Sequence, residues 1–168
     1  MEPRLIIIRG NSASGKTTIA KRLQYELGRP TMLVSQDVIR REVLRVKDFP
    51  GNPSIQLIHD MVLFGRNVGY DVILEGILAT KNYGDMLKKL VQTYGDNVYA
   101  YYFDLSFEET QRRHDTKPNK ADYGEAEMRE WWNDKDYLKL AGEKSINETL
   151  SEEQILALLL KDVPPKSI

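Results

Sequence analysis

One segment near the amino terminus carries the residue types that bind phosphate. Residues 10–17 have the sequence GNSASGKT and fit the pattern G-x-x-x-x-G-K-[ST] in full. The two glycines let the backbone curl so that several N–H groups face inward, and the start of the following helix adds partial positive charge there. We expect Lys16 to reach the β- and γ-phosphates of a nucleotide and Thr17 to coordinate Mg²⁺. The predicted nucleotide contacts are Gly10, Asn11, Ser12, Ala13, Ser14, Gly15, Lys16, Thr17 and Thr18.

Two acidic side chains are candidates for chemistry beside that site. Asp37 and Arg40 lie three residues apart near the start of a predicted helix, so they share one face of its first turn. The carboxylate can accept the proton of an attacking hydroxyl, and the guanidinium can hold an anionic acceptor. Glu75 follows an apolar run, where an acid can bind Mg²⁺ or position a nucleophile. Alternatively, Asp37 is only a helix cap, Arg40 is solvated and Glu75 is a surface carboxylate.

A basic run follows the fourth predicted strand. It lies in the charged stretch from Arg112 to Asp136, which we name the lid segment (residues 112–136). Its cations can close over a triphosphate and stabilise charge in the transition state. The acids interleaved with them favour a second interpretation, in which the stretch is simply a solvated face. The cations are Arg112, Arg113, Lys117 and Lys120.

The elements that must position these groups follow from the apolar pattern. Continuous aliphatic runs are typical of strands buried on both faces of a parallel sheet, and each is followed by apolar residues at helical spacing. This alternation predicts one α/β domain over residues 1–168, with helices on both faces of the sheet. The predicted strands are residues 4–9, 32–34, 71–76, 98–105 and a short 144–146. The predicted helices are 17–27, 36–46, 54–68 capped by Ser54, 82–94, one capped by Ser106 with Glu109, and 152–162 capped by Ser151 with Gln154.

Composition excludes several classes of protein. The 168 residues are 41% hydrophobic and 29% charged, as in a globular domain. No apolar run is long enough to span a membrane or to direct secretion, and cysteine is absent, so we expect a cytoplasmic protein. The formal net charge of −1 gives no overall basic surface, which disfavours a long nucleic acid as partner.

Two short motifs would instead indicate a GTPase. Residues Asp48–Gly51 fit D-x-x-G, and residues Asn119–Asp122 fit N-K-x-D, the pattern that selects guanine. Each motif should follow a buried strand, but neither is preceded by an apolar run of strand length. Four-residue matches are also common by chance. This interpretation is therefore kept only as an alternative.

In combination, the phosphate-loop motif, D-x-x-R at Asp37–Arg40, the strand ending L-E-G and the basic lid segment resemble the small P-loop kinases. The sequence is most similar to the branch that holds polynucleotide kinase, zeta-toxin and chloramphenicol-phosphotransferase-like proteins. The resemblance implies a P-loop NTPase three-layer sandwich with a five-stranded parallel sheet in the order 2-3-1-4-5. It also implies ATP with Mg²⁺ as phosphate donor and a hydroxyl or phosphate group as acceptor.

The resemblance also implies roles for individual residues. Asp37 matches the aspartate that activates the acceptor, and Arg40 matches an arginine on the substrate side. Arg113 resembles a residue that stacks on adenine, and Lys117 stands where an R-x-x-x-R pattern has its second arginine. Lysine cannot form the bidentate phosphate clamp, so either Lys117 acts as a point charge or Arg112 takes the role.

We therefore expect an ATP-dependent phosphotransferase that acts on a hydroxyl of a small-molecule acceptor. The catalytic set is then Lys16, Asp37, Arg40, Arg113 and Lys117, with Thr17 and Glu75 at the metal. The alternatives are a non-catalytic ATP-binding sensor, a GTPase and a polynucleotide 5′-hydroxyl kinase. No motif identifies the acceptor or the oligomeric state.

Overall fold

The computed structural model describes residues 1–166, and within them five strands form one all-parallel sheet. Numbered along the chain, the strands lie in the order 2-3-1-4-5, which confirms the order that the resemblance to the small P-loop kinases implies. The short fifth strand, which has one buried residue, is therefore confirmed as an edge strand. The strands are β1 (Leu5–Gly10), β2 (Thr31–Ser35), β3 (Asp71–Gly76), β4 (Val98–Asp104) and β5 (Lys144–Asn147).

Helices cover both faces of the sheet, as predicted. α2 and α3 pack on the face that receives Leu5 and Ile7 of β1, and α1 and α6 pack on the face that receives Ile6 and Ile8. No helix in this part of the chain has the length and apolarity needed to cross a bilayer. The α-helices are α1 (Lys16–Leu27), α2 (Pro53–Asn67), α3 (Thr80–Tyr94), α4 (Phe107–Asp115), α5 (Glu125–Glu130) and α6 (Glu152–Asp162).

The central strand explains why this sequence folds as it does. Residues 5–8 of β1 are completely buried, because a parallel strand with helices on both sides has no solvent face. Each such aliphatic side chain contributes about 1.5–3 kcal/mol through removal from water. β1 lies between β3 and β4, so the loop that leaves its carboxyl end emerges at the middle of the sheet edge.

The predicted helix over residues 36–46 is wrong in type and length. A π-helix spans Val38–Val43. Two hydrogen bonds of 2.9 Å continue it: the Leu44 N–H donates to the Ile39 carbonyl, and the Val46 N–H donates to the Arg40 carbonyl. Each π-turn holds one residue more than an α-turn. The apolar spacing in this segment fits both kinds of helix, so it could not distinguish them.

Two predicted helix caps also need correction. α2 begins at Pro53, and its cap is Asn52, whose side chain accepts a hydrogen bond from the Ser54 N–H at 3.0 Å. Proline is favoured at this first helical position because it has no N–H to satisfy. At α4 the Ser106 hydroxyl caps the Glu109 N–H at 3.2 Å, as predicted, but the Ser106 N–H donates to another carboxylate. The capping box of α6, between Ser151 and Gln154, is complete.

Candidate active site

The phosphate loop joins β1 to α1, and its backbone conformation requires glycine at two positions. Gly10 has φ +153°, and a Cβ there would lie 2.8 Å from Phe103 Cβ and 2.9 Å from the Phe103 carbonyl oxygen. Gly15, with φ +94°, adopts the left-handed conformation immediately before α1. The loop therefore ends at a helix N-terminus, where backbone N–H groups and the helix dipole favour an anion.

Lys16 is buried at the base of this loop. Its Nζ donates a hydrogen bond to the Asn11 carbonyl at 2.8 Å. Burial lowers the pKa of the Lys16 amine from its ordinary value, while the carboxylates of Glu75 and Asp37 oppose that shift. A bound anion would restore the charge that burial disfavours, so the position is suited to phosphate.

Thr17 and Glu75 meet at the start of α1. The Thr17 hydroxyl donates to Glu75 Oε1 at 3.1 Å, and the Ser35 hydroxyl donates to the same oxygen at 2.6 Å. Glu75 is only 1% exposed, which rules out a surface carboxylate. Hydroxyl and carboxylate oxygens are hard donors that fit Mg²⁺, which commonly takes one or two protein ligands together with phosphate oxygens. In keeping with so few protein ligands, residues 1–166 contain no cluster of three or more His, Cys, Asp or Glu side chains that could hold a metal.

A cavity of about 290 Å³ lies over the loop and joins three distant segments of the chain. It brings Lys16 and Thr17 together with Asp37 and with Lys117 of the lid segment. A larger cavity of about 410 Å³ lies elsewhere, between the start of β4 and the loop before β5, and none of the predicted site residues lines it. The smaller cavity is lined by Ser12, Ala13, Ser14, Gly15, Lys16, Thr17, Thr18, Asp37, Arg41, Glu75, Gly76, Ile77, Lys117, Asn119, Tyr123 and Trp131.

The structure does not bring Arg40 into this cavity. Its Nη1 donates to the Val46 carbonyl at 3.1 Å, and its Nη2 lies 3.7 Å from Asp37 Oδ1. Arg41 lines the cavity instead, with its Nε 3.6 Å from the same Asp37 oxygen. Both arginines lie beside Asp37, but only Arg41 lines the cavity, because the Arg40 guanidinium is turned toward the Val46 carbonyl.

Lys117 and Arg112, the two candidates for the second phosphate-binding cation, have different environments in the lid segment. Lys117 lines the cavity, and burial lowers the pKa of its amine, an effect that nearby Asp37 opposes. The Arg112 side chain is 66% exposed and its guanidinium binds Glu109, with Nε and Nη2 at 2.8 and 2.7 Å from the carboxylate oxygens. The geometry therefore favours Lys117 over Arg112.

Arg113 contacts the phosphate loop itself. Its Nη1 donates to the Ser14 carbonyl at 3.1 Å, and its Nε donates to Glu109 at 2.8 Å. Together with Arg112, it lowers the pKa of the Glu109 carboxyl to about 2. The guanidinium is thereby held at the edge of the loop, beside Gly15. A Cβ added at Gly15 would lie 3.5 Å from the Arg113 Nη1.

Other contacts also attach the lid segment to the loop. Asn11 and Asn133 form two hydrogen bonds, from Asn11 Nδ2 to the Asn133 carbonyl at 2.7 Å and from the Asn133 N–H to Asn11 Oδ1 at 2.8 Å. The hydroxyls of Ser12 and Tyr123 lie 2.9 Å apart. The buried Ala13 packs in a small apolar cluster built mainly by α4 and the lid segment. The loop and the lid segment thus form one connected unit.

Among the cavity-lining residues that sequence reasoning did not assign to the site are three with large side chains, Arg41, Tyr123 and Trp131. Arg41 stands four residues after Asp37, so helical spacing alone could have found it. No sequence signal could have found Tyr123 and Trp131, because their position depends on how the lid segment folds back over the loop.

The two GTPase-like motifs do not form a guanine site in the described chain. Asp48 lies in the loop after the π-helix, where its carboxylate accepts hydrogen bonds from Asn52 and Asn82 at 3.3 Å. Residues 119–122 form turns after α4. Neither motif follows a strand, and of the two only the second reaches the cavity, through Asn119.

The fold and the site define a P-loop kinase-like domain. The family model described as an AAA domain (AAA_33) matches residues 5–140, and the chain belongs to this family. No curated protein matches the sequence.

Solved kinases share the fold over almost the whole chain. The APS kinase CysC of Mycobacterium tuberculosis aligns with a TM-score of 0.73 at 15% identity, over 96% of this chain and 98% of that one. A gluconokinase from Sinorhizobium meliloti aligns with a TM-score of 0.63 at 15% identity, over 96% and 95%. The tunicamycin resistance protein of Deinococcus radiodurans aligns with a TM-score of 0.65 at 14% identity, over 97% of both chains. At these identities the likeness establishes the fold alone.

Proposed function

We propose that this protein is an ATP-dependent phosphotransferase that moves the γ-phosphate of ATP to a hydroxyl of a small-molecule acceptor. The supporting observation is the single cavity that joins the phosphate loop to Asp37 and Lys117. We further propose one domain over residues 1–168, with residues 112–136 as its lid. Asp37 at the cavity wall supports a place in the branch of polynucleotide kinase, zeta-toxin and chloramphenicol-phosphotransferase-like proteins.

On the donor side, the chain's own groups bind and orient the triphosphate. The backbone of residues 10–16 surrounds the phosphates, and Lys16 exchanges its hydrogen bond to the Asn11 carbonyl for a phosphate oxygen. Thr17 and Glu75 would hold Mg²⁺, which supplies neutralisation of the phosphate charge. Arg113, fixed against the Ser14 carbonyl, closes the side of the loop where the base of the nucleotide emerges.

On the acceptor side, Asp37 receives the proton of the attacking hydroxyl. Its nearest arginine contacts are 3.6 and 3.7 Å long, beyond hydrogen-bond distance, so the carboxylate can accept a hydrogen bond from the acceptor hydroxyl. A bond forms between the acceptor oxygen and the γ-phosphorus, and the bond from phosphorus to the β–γ bridging oxygen breaks. The products are a phosphate ester and ADP, and the proton on Asp37 returns to water. Lys16 and Lys117 offset the negative charge throughout.

The choice of a small acceptor has two supports. The formal charge of −1 gives no extended basic surface for a polynucleotide. The similar structures include a gluconokinase and an APS kinase crystallised with APS, both named for small acceptors. The lid contacts to Asn11 and Ser12 would exclude water, which otherwise competes with the acceptor for the γ-phosphate.

The test is Asp37→Asn, measured by calorimetric titration with ATP·Mg²⁺ and by transfer of radiolabelled γ-phosphate to a panel of hydroxyl compounds. We expect ATP affinity to be kept and transfer to fall by about 10²–10⁴-fold, since only the proton acceptor is removed. The matched control is Asp48→Asn, which removes a carboxylate outside the cavity and should leave transfer unchanged.

Three outcomes would contradict the proposal. If Asp37→Asn loses ATP binding, or transfers as fast as the unmodified protein, Asp37 is not the proton acceptor. If the unmodified protein binds ATP tightly but transfers phosphate to no compound, the sensor interpretation replaces the kinase.

A further inference from the structure

Arg41 has no established partner in the candidate active site. Its guanidinium lines the cavity, and its side chain is 47% exposed. Within residues 1–166 it makes no hydrogen bond, and its nearest charged partner is Asp37 Oδ1 at 3.6 Å, beyond the 2.7–2.9 Å typical of a charge-assisted bond. The donors of Arg41 are therefore available to a ligand.

The local backbone directs Arg41 to this place and turns Arg40 away from it. The guanidinium of Arg40 is satisfied in part by the Val46 carbonyl at 3.1 Å, within the wide turn that continues the π-helix. Segments with π-helical geometry are rare and occur frequently at functional sites. The orientation of Arg41 is thus a consequence of the fold of residues 38–46, and the side chain is not simply one of many solvated arginines.

Trp131 of the lid segment lies opposite Arg41. The Arg41 Cζ is 5.9 Å from the centroid of the Trp131 ring, within the range of a cation–π contact. Trp131 packs against Tyr123 at 5.0 Å between ring centroids, and the Tyr123 hydroxyl lies 2.9 Å from that of Ser12 in the phosphate loop. These contacts fix the position of the Trp131 indole relative to the phosphate loop. Together with Arg41, the indole borders the cavity beside Asp37.

The cations of the cavity divide into two groups. Lys16 and Lys117 are close enough that Lys117 contributes to lowering the pKa of Lys16, and both respond to Asp37. Arg41 belongs to the π-helix instead, and its Nε lies 3.6 Å from Asp37 Oδ1. Lys16 belongs to the phosphate loop with Lys117 beside it, and Arg41 is a further cation of the same cavity, next to Asp37.

We propose that Arg41, with Trp131 opposite it, binds an anionic group of the acceptor. The preferred substrates then carry a phosphate, sulfate or carboxylate near the hydroxyl that receives the γ-phosphate. The guanidinium matches the planar pair of oxygens of such groups, and the indole covers the apolar part of the acceptor. This inference rests on the proposed function, because it assigns the substrate class of the same site.

The experiment uses pairs of compounds that differ by one anionic group: gluconate with sorbitol, glucose 6-phosphate with glucose, and uridine 5′-monophosphate with uridine. Transfer is measured as kcat/KM with ATP·Mg²⁺, and binding is measured by titration into the protein saturated with a non-hydrolysable ATP analogue. We expect at least one anionic compound to have a kcat/KM and a binding affinity about tenfold or more above those of its neutral partner, as a charged hydrogen-bonded contact predicts.

The matched variants are Arg41→Gln and Lys47→Gln. Both remove one cation from the same exposed stretch of chain, but Lys47 lies outside the cavity. Arg41→Gln should abolish the preference for the anionic compound, whereas Lys47→Gln should keep it. Arg41→Lys should restore only part of the preference, because an ammonium group cannot bind two oxygens in the same plane.

The proposal is overturned if neutral compounds bind and react as well as their anionic partners, if no anionic compound binds, or if the preference survives Arg41→Gln. These failures differ from failure of the proposed function. Loss of the anion preference with phosphate transfer intact rejects only the role of Arg41. Anion binding that depends on Arg41 without any phosphate transfer supports the subsite and rejects the kinase.

Discussion

The donor side and the acceptor side of the cavity are built in different ways. The donor side is one continuous segment, residues 10–17, and its shape comes from a backbone with positive φ at Gly10 and Gly15. The acceptor side is assembled from the π-helix, which carries Arg41 and follows Asp37 directly, and from Trp131 of the lid segment, whereas Lys117 of that segment belongs with Lys16 on the donor side. The first depends on local sequence and the second on the meeting of distant segments.

Mutations on the donor side and on the acceptor side should therefore have different effects on phosphate transfer. Changes on the donor side should remove phosphate transfer to every acceptor, because all substrates use the same triphosphate. Apart from Asp37, the proposed proton acceptor, changes on the acceptor side should alter rate or choice of substrate by smaller factors, because each side chain is one of several contacts.

Lys16→Met should reduce phosphate transfer by about 10³-fold or more. The variant removes the buried ammonium that would meet the β- and γ-phosphates, and such preorganised charge is worth most where water is excluded. Steady-state transfer of radiolabelled phosphate measures the loss. Lys21→Met, on the exposed part of α1, is the matched control and should react normally. Equal activity of both variants would show that Lys16 does not contact the phosphates during transfer.

Lys117→Gln should reduce kcat by about 10²-fold, since it removes a cation that lines the cavity. Arg112→Gln should change kcat by no more than about twofold, because that guanidinium is exposed and pairs with Glu109 outside the cavity. Comparison of the two variants shows which lid cation contacts the phosphates. A larger loss for Arg112→Gln would mean that the lid moves before reaction and exchanges the two.

Asn11→Ala should weaken ATP binding by about tenfold, because the Asn11 side-chain amide makes two of the hydrogen bonds that attach the lid segment to the phosphate loop, to the backbone carbonyl and N–H of Asn133. Calorimetric titration with ATP·Mg²⁺ measures the change. Asn133→Ala is the matched control, because it keeps those backbone groups and removes only the side-chain hydrogen bond to the Trp131 carbonyl. Equal losses for the two variants would show that the lid segment is not held through Asn11.

ATP affinity should fall several-fold as the pH rises, beginning below the ordinary lysine pKa of 10.5. Burial lowers the pKa of Lys16 and of Lys117, so both amines lose their charge at a lower pH than a solvated lysine. Bound phosphate favours the charged amines, so binding must take up protons in this pH range. Titration in buffers of different ionisation enthalpy measures that uptake. A constant affinity up to pH 10.5 would contradict the assigned contacts.

Most of the fold could be predicted from the sequence. The aliphatic runs at β1 and β3 locate strands buried on both faces, and the resemblance to P-loop kinases supplied the strand order that the structure confirms. The phosphate loop was also evident, because its function depends on residue types within eight consecutive positions. Asn52 as the cap of α2 was less evident, because Ser54 is an equally good cap by composition.

The acceptor side could be predicted only in part. The position of Asp37, where β2 gives way to a helix, predicts its place at the site, and the D-x-x-R pattern predicts Arg40 beside it. Arg41, one position further on, falls outside that pattern although it is the arginine that lines the cavity. Trp131 could not be placed, since its contact with Arg41 depends on the attachment of the lid segment through Asn133 and Tyr123. Local pattern determines local geometry, and a site shared by remote segments requires the tertiary structure.

The π-helix at Val38–Val43 places two arginines beside one carboxylate. Arg40 Nη2 lies 3.7 Å and Arg41 Nε lies 3.6 Å from Asp37 Oδ1. Because Arg40 is turned away from the cavity and Arg41 lines it, substitution of Arg41 changes the cavity wall while one positive charge stays beside Asp37. This duplication lets the outer wall of the cavity vary without leaving Asp37 unpaired.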